Sequence, residues 1–561
     1  MKTFYSFLLL AITVSGNSFA QWDGNNTTVN NPVTTASPGG PVFSIADQYG
    51  GVIIAWEAAN QVFVQRKTVG GQLNWGTASN PVALFNGTGG SIQLRDAISD
   101  NESGVYVCYQ HRINDTTSRL YVQHIASNGI KRFPNPGILI NPANSSFCGD
   151  GKIALSNDGI FVAWTTEDLV AHDPVPLKSK LYLQRIDKGG NFMLGASGIP
   201  VTSANSLQFW PILCPDKNGG IYLAFSDTRN SNFVNGSYNN YDVYAQRFDA
   251  NGNKLWAPND VVISNAPFHQ TTHIDYSPPG IRNEKTILTS ADGAVYVLYG
   301  SAEDENYTDN YFLEIKKLSP AGINVWPNAV KTSDAATAHH YLQVEDDNES
   351  GLVISWRRTG GMAFIYAQRI NNAGARMWGN TGILVPPDYD MDFQMTGHSM
   401  AKTGDGNFVF TWRADTSIVN VNDVLRYIKA QKLDGAGNKL WGANAVFISK
   451  NNFGPISPIV SKSLDSASII SWLEQRGIYS ALVESNGALK NIENISGYTA
   501  IASGNWNDPA TWLNGLIPPA GANVTITQNV TVNVNVICYN ITVQSPAVLT
   551  VAPGATLTVL N

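Results

Sequence analysis

The chain has 561 residues, only 14% of them charged, with 36 Lys and Arg against 43 Asp and Glu and a formal net charge of −7. With 43% hydrophobic residues it supports a large packed core, which excludes a disordered or collagenous chain. The lack of a basic surplus argues against nucleic acid as a partner, because neutralising phosphates needs clustered Lys and Arg.

The first twenty residues read as a secretory leader. Lys2 gives a positive start, Phe7 to Val14 an apolar core too short to span a bilayer, and Ser18, Phe19 and Ala20 a small-x-small cleavage site before Gln21. A secreted protein, extracellular or on the outer cell surface and monomeric, is therefore expected. No cysteine stands just after the cut, and no later stretch is apolar enough to cross a membrane as a helix. Cys108, Cys148, Cys214 and Cys538 are too scattered for a disulfide framework and read as buried apolar residues.

Residues 21–495 repeat one pattern eight times: a glycine turn, an apolar strand ending in an aromatic, a polar loop, a Tyr-Ala-Gln-Arg-like strand and an Asn-Gly turn. The strand-ending aromatics are Trp56, Tyr109, Trp164, Phe225, Tyr299, Trp356, Trp412 and Trp472. Their spacing of 53 to 74 residues suits four short strands per unit. In the third unit, Ile160, Val162 and Trp164 point one way while Phe161 and Ala163 point the other, so the strand is apolar on both faces. Radially repeated sheets buried on both sides predict an all-β protein, a β-propeller of eight blades, with seven as the alternative because unit five is long and irregular.

Six residues before each turn glycine stand Gln65, Gln123, Gln184, Gln246, Gln368 and Gln431, replaced by Lys316 and Ala481 in units five and eight. Four residues after it stand Trp75, Phe133, Leu194, Trp256, Trp326, Trp378 and Trp441. Buried amides and aromatics at such regular positions are expected to build the blades rather than to form a ladder of ligand sites.

The loops entering the first strand and joining the second to the third open on one face, and there the candidate functional residues gather. The longest such loop, Ser226 to Asp242, offers Asp227, Arg229, Tyr238 and Tyr241. Other units contribute Arg112, Glu167, Asp168, Glu303 to Glu305, Arg357, Arg358, Arg413, Asp415, Glu474 and Arg476. No cofactor is expected; were a metal ion bound, His269, His273, His339 and His340, with His398, would be the candidate ligands for zinc or copper. DYDMD at Asp388 to Asp392 lacks the glycine and glutamate of an EF-hand. SNDGIFVAW, SADGAVYVLY and TGDGNFVFTW are similar to the Asp-box turns of sialidases, but Asp and Gly also serve a tight hairpin structurally.

The eighth unit, through SIISW and YSALVESNGAL, lacks its tryptophan and last strand, and Trp22 with Pro32 to Thr35 echoes the missing piece. The N-terminal segment is predicted to complete the last blade and leave no open edge. Residues 496–561 change texture to short Thr-, Val- and Asn-rich strands, predicting a β-helix or small sandwich, with Trp506 and Trp512 more suited to capping a core than to stacking a sugar.

The VYAQRFDANGNKLW pattern at Val243 to Trp256, repeated at Ile365 to Trp378 and Lys429 to Trp441, resembles the propeller-like repeats of large secreted proteins from gliding and gut bacteria, many of them similar to cargo of the type IX secretion system. The C-terminal segment resembles G8-like β-rich modules of bacterial surface proteins. That resemblance implies architecture and export and carries no catalytic residues; the C-terminal sorting domain usual for such cargo is not recognisable before Asn561. Two functions follow as expectations. The favoured one is a non-catalytic propeller binding an extracellular glycan, polymer or protein through its loop-bearing face. The alternative is a polysaccharide-processing enzyme, glycoside hydrolase or sialidase-like, with acid and base residues on that face.

Overall fold

The computed structural model describes residues 22, 32–86, 89–141, 147–168, 178–234, 237–238, 240–256, 258–272, 286–302, 311–334, 339–358, 364–386, 397–415, 426–450, 453–490, 498–513, 517–518 and 522–559. The leader lies outside them. Among the described residues no helix is long and apolar enough to cross a membrane.

Eight antiparallel sheets succeed one another in chain order, each with its first strand innermost. The third shows why the sequence folds so. Its second strand, Gly159–Asp168, pairs with Phe147–Ser156 on one side and Lys178–Ile186 on the other. Ile160, Val162 and Trp164 enter the core shared with the second sheet, and Phe161 and Ala163 the core shared with the fourth. Each strand residue thus serves one of two neighbours, and eight such cores run round the circle. The molecule is an eight-bladed β-propeller.

The repeated glutamine supplies the local wiring. In blade 6 the Gln368 side-chain oxygen accepts from the backbone N–H of Arg369 (3.1 Å) and of Trp378 (2.8 Å), while its amide donates to Gly379 O (2.7 Å). The tryptophan at that position reaches the next blade, also in blade 5 where Lys316 replaces the glutamine: Trp75, Trp256, Trp326, Trp378 and Trp441 donate Nε1–H to Ser127, Pro320, Asn372, Gly435 and Ser485 carbonyls at 2.8–3.2 Å. There each indole lies against the next turn's glycine, as Trp326 does against Gly374, whose φ of 84° and tight fit both demand glycine.

The residue after the glutamine position is usually basic, and it pairs with the aspartate of the first hairpin. Arg66–Asp47 (2.8 Å), His124–Asp100 (2.9 Å), Arg247–Asp216 (2.8 Å), Lys317–Asp292 (2.9 Å), Arg369–Asp347 (3.0 Å) and Lys432–Asp405 (2.7 Å) repeat this bracket. Asp292 and Asp405 also accept from the backbone of their own turns, at Ala294 and Asn407. The Asp-box-like turns of those two blades are therefore structural.

Closure repeats the same contact. Pro32–Thr34 pairs with Gly477–Val483 as the outer strand of blade 8, and Trp22 donates to Val69 O (2.6 Å) in the turn of blade 1. Ser44 and Ser461 bond across the innermost strands at 2.8 Å. Beyond the ring, Tyr498–Ala500, Ala522–Ile526, Val536–Val543 and Leu557–Val559 pair in parallel, as do Gly504–Asn505, Val530–Val532 and Leu549–Val551. The C-terminal segment thus forms two small parallel sheets. Trp506 and Trp512 are buried in it, with Trp512 Nε1 donating to Trp506 O (2.7 Å).

Candidate functional site at the channel mouth

The innermost strands of all eight blades enclose an axial channel of about 750 Å³, lined by groups such as Asp96, Lys152, Gln343, Glu345 and Lys402. The chain enters each first strand at one end of this channel, its mouth, and the cavity itself begins past those entry residues, at Asp96, Lys152, Ile212 and Val460. There the strands are interrupted: blades 2, 3, 4, 6 and 8 carry a bulge at the same height. A bulge inserts an unpaired residue and re-aims its side chain, which makes it a recurrent device beside functional sites. The inserted residues include Arg95 in blade 2, Asp150 in blade 3, Trp210 in blade 4 and Ser457 in blade 8. Asp150, Trp210 and Ser457 stand at φ of 49°, 52° and 54°, the left-handed region that costs a non-glycine residue energy.

Blade 5 enlarges the same interruption. Between Thr271 and Ile287 its partner strand advances only from Gly300 to Val297.

Trp210 is held on both sides of its strained backbone. Its N–H donates to Asp150 Oδ2 (3.2 Å) and its carbonyl accepts from Thr272 Oγ1 (2.7 Å). Its ring meets Tyr241 at 5.6 Å and Phe209 at 5.5 Å. Tyr241 continues to His269 (4.9 Å) and Tyr238 (6.5 Å), and Tyr238 to Phe233 (5.0 Å), which is 56% exposed. An aromatic wall thus runs from the mouth of blade 4 out along its long loop.

Beside that wall stand polar groups of blades 2 and 3. Arg95 Nε donates to the buried Gln110 Oε1 (3.0 Å), and Gln110 donates onward to Ser118 Oγ (2.9 Å) and to Cys148 O. Glu167 accepts from Thr165 Oγ1 (2.8 Å), and a Cβ on Gly149 would come within 2.7 Å of its Oε1. Burial, helped by repulsion from Asp150, pushes the Glu167 carboxyl up to about 7, against the opposing influence of the Thr165 bond and Arg95. A carboxyl protonated near neutrality beside a second carboxylate, a guanidinium and an indole can donate protons and bind hydroxyl-rich molecules.

Most other residues chosen from sequence are spent on structure. Asp227 is fully buried and takes Arg229 at 2.9 Å, and Arg229 also reaches Asp260 (3.1 Å) while stacking on Tyr244. Arg413 and Asp415 form a fully buried pair joined twice at 2.6 Å. Glu474 accepts from Trp472 Nε1 (2.8 Å) and from Arg476, which lies over Phe453. Arg358 sits over Tyr366 and Arg112 pairs with Asp115.

Among the histidines, His269 is buried against Tyr241, and burial lowers its pKa. His398 contacts Ser355 Oγ (2.8 Å), and burial together with Arg357 lowers its pKa to about 3. His273, the side chains of Asp168, His339 and His340, Glu303 to Glu305 and Asp388 to Asp392 lie outside the described residues. No group of three or more metal-binding side chains converges among the described ones.

Of the sequence candidates, the structure gathers Tyr238, Tyr241, His269 and Glu167 at one sector of the mouth. It adds Arg95, Gln110, Asp150 and Trp210, which the sequence reading missed. A signal existed in Asp150-Gly151, Trp210-Pro211 and Ser457-Pro458, since Gly or Pro inside an apolar run marks a bulge.

No family model and no curated protein matches the chain. Solved structures with some likeness include a Mycobacterium tuberculosis puromycin-hydrolyzing peptidase, 11% identical with TM-score 0.37, covering 70% of this chain and 52% of that one. The chain thus spans about half the length of that peptidase. A leech intramolecular trans-sialidase is 11% identical with TM-score 0.35, covering 81% and 93% of the two chains. A polysaccharide lyase acting as an ulvan lyase is 9% identical with TM-score 0.40, covering 82% and 98%.

Proposed function

We propose that this is an exported propeller that binds a neutral polysaccharide across its channel mouth. The observation carrying the reading is the continuous wall of Trp210, Tyr241, Tyr238 and Phe233 beside Arg95, Gln110 and Asp150. A sugar presents a C–H face that packs on an aromatic ring and hydroxyls that need hydrogen-bond partners, and such a wall with polar neighbours offers both. A neutral chain is favoured over an anionic one because the rim cations Arg229, Arg413 and Arg476 are already paired with Asp227, Asp415 and Glu474. The leader at residues 1–20 supports export to the cell surface or medium.

Affinity gel electrophoresis of residues 21–561 on β-glucan, xylan and galactomannan, with polygalacturonate and alginate as anionic controls, tests the reading. Retardation is expected on a neutral polymer, and Tyr241→Ala is expected to weaken it about tenfold, roughly 1.4 kcal/mol. Retardation only on the anionic polymers, or none lost in Tyr241→Ala and Trp210→Ala, contradicts it.

A further inference from the structure

The binding reading gives Glu167 no part and Asp150 no more than a hydrogen bond. Glu167 and Asp150 come from adjacent strands of blade 3, and both are partly buried at the mouth. Asp150 accepts from the backbone N–H of Trp210, whose ring begins the aromatic wall. Gly149 leaves the space in which the Glu167 carboxyl sits, since a Cβ there would meet both Glu167 Oε1 (2.7 Å) and Thr165 Oγ1 (2.9 Å). Arg95 contributes a guanidinium from blade 2, oriented by the buried Gln110.

We infer that Glu167 and Asp150 form a hydrolytic site, steadied by Arg95, that cleaves glycosidic bonds of the neutral polysaccharide held on the aromatic wall. The inference rests on the binding reading and adds a reaction to it. Glu167 transfers its carboxyl proton to the glycosidic oxygen as the bond from that oxygen to the anomeric carbon breaks. Asp150 takes a proton from a water molecule whose oxygen forms the new bond to the same carbon. Water is the one co-reactant, the products are a new reducing end and a new alcohol, and the two carboxyl groups return to their starting states by proton exchange with solvent. The elevated Glu167 pKa suits the first role, because the acid must still hold its proton near neutral pH. The groups that act on that proton are Asp150 on the neighbouring strand, Thr165 on the same strand and Arg95 from blade 2.

The test uses the mature chain and the neutral polymers of the gel assay, with reducing ends measured alongside affinity. Wild type is expected to release reducing ends with a rate that falls as pH rises through about 7. Glu167→Gln and Asp150→Asn are each expected to lose at least about 100-fold of that rate. Gly149→Ala keeps both carboxyl groups yet displaces one, and is expected to lose rate with them. Binding without release by wild type, or variants that cleave as fast as wild type, overturns the inference and leaves the binding reading standing. Absence of binding to every neutral polymer overturns both.

Discussion

At the scale of single residues, the mouth carries backbone and titration costs. Trp210 and Asp150 hold left-handed backbones, each costing on the order of 1–3 kcal/mol. Glu167 adds a titration cost. Its folded pKa of about 7 lies above the ordinary 4.5, so the native state binds the proton more tightly than the unfolded chain, and stability falls as pH rises between those values. The loss is complete above the folded value and amounts to roughly 3 kcal/mol. Glu167→Gln removes it. Relative to wild type, the variant is expected to gain stability from pH 4.5 to pH 7.5 in denaturant titrations, with the gap closing at pH 4. A gap independent of pH contradicts the assignment. The sequence offered Glu167 as one rim acid among many. It did not single it out, because burial and the approach of Asp150 come from a bulge whose register a strand pattern does not fix.

Elements were far more legible. The glutamine six residues before the turn glycine and the aromatic four residues after it are local features, satisfied within one hairpin by bonds such as those of Gln368 to Arg369 and Trp378. Sequence therefore carried them intact. It also carried the alternation of Ile160, Val162 and Trp164 against Phe161 and Ala163, because a two-sided apolar strand has few other places to go. Less visible was the destination of each indole, which lies in the following blade. Trp22 shows what that contact is worth to the closing element. It is fully buried, donates to Val69 O and has Lys67 Nζ 4.4 Å from its ring. Trp22→Ala is expected to cost about 3–5 kcal/mol, seen as a lower guanidinium midpoint with an exposed blade edge prone to association. Unchanged stability contradicts the closure contact.

For the whole molecule, the circle of eight shared cores makes a regular frame, and the proposed site gathers several departures from that regularity. Blades 2 to 4 place Arg95, Asp150 and Trp210 on bulges side by side, blade 4 adds the longest loop with Tyr238 and Tyr241, and blade 5 widens its own first strand next to them. Arg413 with Asp415 and Asp227 with Arg229 looked equally functional in sequence, yet they close on each other inside the protein. Pairing of that kind depends on which side chains meet in space, and charge spacing along a strand does not reveal it.

The most direct measurement is a crystal structure of the mature chain soaked with oligosaccharides of a neutral polymer it retards. Sugar density against Trp210 and Tyr241, with a glycosidic oxygen within hydrogen-bond reach of Glu167, is the predicted result. Sugar bound only on the opposite turn face or on the C-terminal sheets, with the mouth of blades 2 to 4 bare, would contradict it.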